Sequence, residues 1–337
     1  MRNIRPFEIS IIGLLSLLSA CSVGEEKPQI DAKTEAAQWN TLDGNAPLVI
    51  AHRGASGYLP EHTLEAYDLA IEMGADFIEP DLVITKDGEL VVRHDRYLSD
   101  STDVADHPEF ADRKTVKPGH DGADWFVEDF TLAEIKTLRA KQVKAGRPTE
   151  FDGLYEIPTF DEVLELVTRR SEETGRRIGI YPETKQPDAL EALDLSFDTA
   201  LLDSLAQFGF DGADDPVFIQ SFETENLRRL SEKTDIRLIY LLWQPLSLSI
   251  EEIAGFADGI GPYKLMLIDD QGASTGLLED AHAMGLPVHT WTFRDDDVTP
   301  QFRGNSKDEL THFMNLGVDG LFSDFPDTAL TARETFK

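Results

Sequence analysis

Short apolar runs rich in branched side chains alternate along this chain with longer stretches in which apolar residues recur every three or four positions. Leu48-Val49-Ile50-Ala51 is the first run, a helical pattern follows over residues 64–73, and residues 76–85 form the second run. Later runs are Ile178-Gly179-Ile180-Tyr181, Val217-Phe218-Ile219-Gln220, Leu238-Ile239-Tyr240-Leu241-Leu242, Lys264-Leu265-Met266-Leu267-Ile268, Val288-His289-Thr290-Trp291 and Gly320-Leu321-Phe322-Ser323. Helical patterns at 159–174, 195–208, 224–233, 250–257, 275–284 and 307–316 lie between most of them. Strand-like runs alternating with helical stretches predict βαβ units and a parallel sheet. Eight such runs predict an α/β fold, a closed TIM-type (β/α)8 barrel rather than an open doubly wound sheet. Residues 99–157 break the rhythm: they are rich in Asp, Gly and Pro, with one short helical pattern at 132–141. They read as an insertion after the second strand, at the end of the barrel where it can shape access to a site.

The N-terminus follows a different pattern. Arg2 and Arg5 precede an apolar run over residues 9–18 that is too short to span a bilayer, the arrangement of an export signal. The run ends in Leu18-Ser19-Ala20-Cys21, which resembles a bacterial lipobox, and Cys21 is the only cysteine. The expected organisation is a lipoprotein signal peptide at 1–20, a lipidated Cys21 opening a flexible polar tether at 21–46, and one barrel domain at 47–337. The protein is then exported and lipid-anchored to a bacterial cell membrane. The alternative is an ordinary cleaved signal with an incidental cysteine.

Composition narrows the chemistry. A hydrophobic fraction of 41% is that of a globular chain, but 63 acidic against 31 basic residues give a net charge of −32. Such a field repels phosphate backbones, which excludes nucleic acid as a partner, and it leaves the lipid anchor as the only membrane contact. No protein partner is evident. An anionic substrate would need a local reversal of sign, from a bound cation or from a few Arg and Lys in a pocket.

Candidate groups sit where strands end. His52-Arg53-Gly54 follows the first run, with Gly54 and Gly57 giving backbone room to approach a ligand. Glu79-Pro80-Asp81 puts two carboxylates on one side of the second strand, where like charges repel unless a cation lies between them. Oxygen ligands of this kind suit Ca²⁺ or Mg²⁺. His94 follows Leu90-Val91-Val92 and pairs with His52 as a potential acid and base. Glu183 and Lys185 share one face of the third strand end; the Glu can complete a three-carboxylate site and the Lys can bind phosphate. Phe222 and Trp291 can wall a pocket, and His289 reads as structural.

Together these motifs resemble the glycerophosphodiester phosphodiesterase family, in particular its exported bacterial branch: H-R-G at 52–54, P-E-H-T at 60–63, E-P-D at 79–81, H-D at 94–95, E-T-K at 183–185 and H-T-W-T at 289–292. The resemblance implies a TIM barrel that hydrolyses small glycerophosphodiesters to sn-glycerol 3-phosphate and an alcohol. It implies one divalent metal, Ca²⁺ or else Mg²⁺, on Glu79, Asp81 and Glu183. It further implies His52 and His94 as the acid–base pair, substrate contacts from Arg53, Lys185, Phe222 and Trp291, and Glu61 in support. The family often has Asn where this chain has His62, which leaves the role of that position open. Lysophospholipase D and sphingomyelinase D share the same pattern, and a non-catalytic surface lipoprotein is the alternative of another class.

Overall fold

The computed structural model describes residues 39–243 and 247–336. The signal peptide and Cys21 therefore lie outside the described residues. Residues 39–46, assigned to the tether from sequence, are docked: Trp39 stacks on Phe336 at 4.3 Å, and the backbone N–H of Leu42 donates to Asp319 at 2.6 Å.

In chain order the strands are β1 (Leu48–His52), β2 (Phe77–Glu79), β3 (Asp81–Ile84), β4 (Leu90–Val92), β5 (Thr115–Val116), β6 (Ala123–Asp124), β7 (Gly179–Ile180), β8 (Glu183–Thr184), β9 (Phe218–Ser221), β10 (Arg237–Leu242), β11 (Gly259–Pro262), β12 (His289–Phe293) and β13 (Gly320–Ser323). Two sheets run β12-β13-β1-β2-β7 and β11-β10-β9-β8-β3-β4. Parallel bridges Ile180 to Val217, Ile260 to Val288 and Tyr263 to Trp291 join them into the closed barrel expected. Pro80 and Pro182, which lack the backbone N–H a ladder needs, interrupt the second and third strands into β2/β3 and β7/β8.

Strand alternation sorts the side chains. Val49, Ala51, Ile78, Ile180, Ile219 and Leu321 pack in the main core that includes the helices. Ile50, Phe77, Tyr181, Phe218, Ile239 and Phe322 form a separate cluster, with Tyr181 and Phe218 5.0 Å apart and Tyr181 and Phe322 likewise at 5.0 Å. These are the inward positions of successive strands, a layer of side chains filling the barrel. One period further along the same strands come His52, Glu79, Glu183, Gln220, Leu241 and Asp324, so the plug is the floor on which the site rests. His289 belongs to the plug: it is buried, its Nδ1 lies 2.8 Å from the Tyr181 hydroxyl, and burial lowers its pKa to about 4. Its structural assignment agrees with this placement.

Three expectations about elements are corrected: the helix expected at 250–257 is only Ile250–Ile253, and the other two concern the sixth strand and the insertion. The sixth strand is β11, not residues 264–268, which form a short 3-10 turn over Lys264–Met266 with Met266, Leu267 and Ile268 buried. The strand was hidden because it carries Gly259 and Gly261 opposite Ile239 and Leu241, where an added Cβ would come within 2.7 and 2.6 Å of those side chains. The helix expected at 132–141 is only Leu132–Ile135, because Arg139 and Ala140 pair instead with Glu156 and Thr102. The insertion has its own core of Leu98, Val104, Phe110, Trp125, Phe130 and Leu138, which is seated on Val83 and Val91 of β3 and β4.

Candidate active site

Register brings the predicted carboxylates together. His52 pairs with Glu79 across β1 and β2, Asp81 with Glu183 across β3 and β8, and Glu183 with Gln220 across β8 and β9. Glu79, Asp81 and Glu183, all buried, each present an oxygen within 4.8 Å of the others. Burial and mutual repulsion push Glu79 well above the ordinary carboxylate range and Glu183 up to about 8. Burial opposes the charge on Asp81 too, but Lys185 and Arg53 beside it hold its pKa well below normal. The Oδ1 of Asp81 is buried with no hydrogen-bond partner. Three hard oxygen donors in mutual repulsion, one of them orphaned, fit a divalent cation of the Ca²⁺ or Mg²⁺ class.

Two cations flank this group. The Arg53 guanidinium lies 3.0 Å from Glu61 and 3.2 Å from Asp81, and its backbone N–H donates to Glu79 at 2.8 Å. Arg53 occupies the left-handed region at φ 60°, a conformation uncommon for a non-glycine residue. The neighbouring carboxylates outweigh its burial and hold it charged. Glu61, also buried, is drawn down to about 2 chiefly by Arg53, so it supports the site through Arg53. Lys185 Nζ is 2.7 Å from Glu183 and 3.7 Å from Asp81. His62, whose role the sequence left open, is fully buried: its Nδ1 is 2.7 Å from the Tyr67 hydroxyl and its Nε2 2.8 Å from Asp81 Oδ2. Burial keeps it neutral, with a pKa of about 4, so it donates from Nε2 and orients the carboxylate. The glycines of the H-R-G loop serve packing rather than a ligand: a Cβ on Gly54 would meet the backbone of Ala66 at 2.7 Å, and one on Gly57 the Phe325 ring at 2.4 Å.

The two histidines differ in setting. His52 Nδ1 lies 2.6 Å from Oδ1 of buried Asp324, whose pKa falls below the usual range despite burial because His52, Arg294 and Arg147 surround it. An ionised Asp324 can only accept, so Nδ1 carries the proton and Nε2 keeps its lone pair. Burial and then Arg53 lower His52 to about 4. His94 is a third exposed, with Nδ1 3.0 Å from Asp95. Partial burial, Arg53 and Lys185 lower its pKa.

A cavity of about 180 Å³ joins these groups, lined by His52, Arg53, Glu79, His94, Glu183 and Lys185 on one side and by Phe222, Trp291 and Arg294 on another. Phe222 and Trp291 meet edge to face at 5.6 Å, and Trp243 stacks on Trp291 at 5.5 Å. Sequence reasoning passed over Asp324, Arg294, Gln220 and Arg147. The first three stand at or just beyond the C-terminal ends of β13, β12 and β9, and the rule that barrel chemistry collects at strand ends could have nominated them. Arg147 carried no such signal.

Residues 52–328 match the model of the glycerophosphoryl diester phosphodiesterase family. A glycerophosphodiester phosphodiesterase of Arabidopsis thaliana is 35% identical over 93% of this chain and 92% of its own length. One of Haemophilus influenzae is 32% identical over 86% of this chain and 91% of its own. Among solved structures, an Oleispira antarctica phosphodiesterase in complex with the product sn-glycerol-3-phosphate superposes with a TM-score of 0.65 at 25% identity, covering 88% of this chain and all of that one.

Proposed function

Because the chain belongs to the glycerophosphoryl diester phosphodiesterase family and is a glycerophosphodiester phosphodiesterase, we propose that it hydrolyses small glycerophosphodiesters to sn-glycerol 3-phosphate and an alcohol by metal-assisted acid–base catalysis. The observation that carries the metal-assisted reading is the buried trio Glu79, Asp81 and Glu183 with its orphaned Asp81 oxygen, two of whose members, Glu79 and Glu183, line the same cavity as two differently supported histidines. Those three carboxylates would hold the cation, Ca²⁺ or else Mg²⁺, which when bound supplies Lewis-acid neutralisation of the phosphoryl oxygens. Arg53 and Lys185 place positive charge on the cavity wall to draw the phosphodiester in against the net negative field. His52, with its Nδ1 proton committed to Asp324, takes the proton of the attacking oxygen at Nε2, and Asp324 stabilises the imidazolium that forms; if that oxygen is the glycerol hydroxyl of the substrate, water opens the resulting cyclic phosphate in a second step. His94 gives a proton to the departing alcohol oxygen. A phosphate anion between Arg53 and Lys185 offsets the two charges that depress the His94 pKa, so substrate binding itself favours the protonated form. Phe222 and Trp291 wall the organic part of the substrate.

Stripping the purified protein with a chelator is expected to stop release of sn-glycerol 3-phosphate from glycerophosphocholine, and Ca²⁺ to restore it better than Mg²⁺. Full turnover in the metal-stripped protein, or hydrolysis confined to acylated lipids, would refute the proposal. From the sequence pattern ending at Cys21 we propose in addition an exported, lipid-anchored form of this enzyme, within the exported bacterial branch. Palmitate labelling of the expressed protein should disappear in Cys21→Ser, and labelling that survives the substitution would remove the anchor.

A further inference from the structure

The last part of the insertion turns back across the barrel mouth onto the loop that follows β1. Gln142 Nε2 donates to the Ser56 carbonyl at 3.3 Å and to the Leu59 carbonyl at 3.4 Å, and Arg147 Nη1 donates to Ser56 at 3.1 Å. Ser56 in turn donates its hydroxyl to the His52 carbonyl at 2.8 Å. The remaining nitrogens of Arg147 reach two carboxylates: Nε and Nη2 clamp Asp296 at 2.7 and 3.0 Å, and Nη2 also donates to Asp324 Oδ2 at 2.6 Å. Its side chain is 3% exposed. Asp324 is thus held at Oδ2 from outside the barrel and offers Oδ1 to His52 from within.

A planar guanidinium making four hydrogen bonds to three residues, nearly removed from water, fixes a carboxylate in both distance and plane. Arg294 also donates to Asp324 Oδ2, at 2.8 Å, but through Nε alone, and its side chain lines the cavity. Arg147 is the anchor that substrate does not touch. We propose that Arg147 is a positioning residue for His52, holding Asp324 and the Ser56 loop so that the His52 Nδ1 proton and ring plane stay fixed. The insertion is then a component of the catalytic apparatus rather than a cover over the barrel mouth. This inference rests on the reading of His52 as the base.

Arg147→Ala, Arg147→Lys and His52→Ala are compared with the parent holoenzyme by kcat and KM on glycerophosphocholine, with and without guanidinium ion at concentrations too low to denature, alongside a thermal melt. Arg147→Ala is expected to lose kcat on the order of 10–100-fold, as loss of a supporting partner does around other active centres, with KM changed less than about threefold. Guanidinium should return part of that kcat in Arg147→Ala and none in His52→Ala. Arg147→Lys keeps the charge but not the fork, so it should lose kcat at unchanged KM, and it carries the test if the alanine variant does not fold. Wild-type kcat in either folded Arg147 variant overturns the inference, as does a loss that tracks the unfolded fraction and resists guanidinium. Normal turnover in His52→Ala would instead overturn the reading of His52 on which it stands.

Discussion

His52→Ala is expected to lower kcat by about 10²–10⁴-fold, the usual contribution of a positioned general base, while KM for glycerophosphocholine stays near the parent value. The split follows from the geometry. The groups that place positive charge for the phosphodiester, Arg53 and Lys185, are held by carboxylates other than Asp324, and nothing in their hydrogen bonding passes through the imidazole. The same base fixes the acid side of the pH profile. Burial, followed by Arg53, lowers the His52 pKa to about 4, so the neutral form is present above that value and is lost as pH falls through it. The acid limb of kcat/KM should therefore lie well below the ordinary histidine range near 6.5. A limb at the ordinary position in the wild-type profile would contradict the assignment, as would kinetics of the alanine variant in which KM alone changes.

Glu79→Gln is expected to have opposite effects on activity and on stability. Activity should fall by more than about 10²-fold, since even outer partners of metal ligands cost 10–100-fold and this change removes a ligand. The metal-free protein should nonetheless melt higher, by an amount on the order of 1 kcal/mol. Among the described residues, two close cations, Arg53 and Lys185, face three buried carboxylates, and the repulsion falls hardest on Glu79. A neutral amide relieves it. The replacement can also be accommodated, because Gln220 already donates its Nε2 to Glu79 at 3.1 Å while its own Oε1 is buried without a partner. A flipped Gln220 amide would offer that oxygen to the new N–H. Calorimetry with and without Ca²⁺ tests the pair of effects: the parent should gain stability from the ion and the variant should not. A metal-free variant that melts lower than the parent would show that Glu79 is not under repulsion.

Much of this site was legible in the chain because its chemistry sits on strand ends with regular alternation. His52, Glu79, Asp81 and Glu183 announced themselves by residue type and by the hydrophobic runs before them, and the barrel register brings them to one mouth. The sixth strand was not legible. Gly259 and Gly261 have poor strand propensity, and their place in β11 is decided by the bulk of Ile239 and Leu241 on the neighbouring strand, a tertiary cause that no local pattern carries. Asp324 escaped because a single aspartate before a proline-led helix, Pro326–Glu334, looks like a helix-start residue. Arg147 escaped because its partners, Ser56, Asp296 and Asp324, are far from it along the chain. His62 shows the intermediate case: the motif located it, but its function as a bridge from Tyr67 to Asp81 depends on burial that only the folded chain supplies.

The aromatic layer beneath the site also constrains traffic. Phe77, Tyr181, Phe218 and Phe322 fill the barrel beneath His52, Glu79 and Glu183, so the cavity is closed on the side of the barrel core. Substrate and both products are then expected to pass on the loop side, where Phe222, Trp291 and Arg294 line the wall. If Arg53 and Lys185 hold the phosphate as proposed, the phosphate-bearing product should compete with substrate for the same cavity, which inhibition by added sn-glycerol 3-phosphate would reveal. On that reading, arriving substrate and departing product share one cavity.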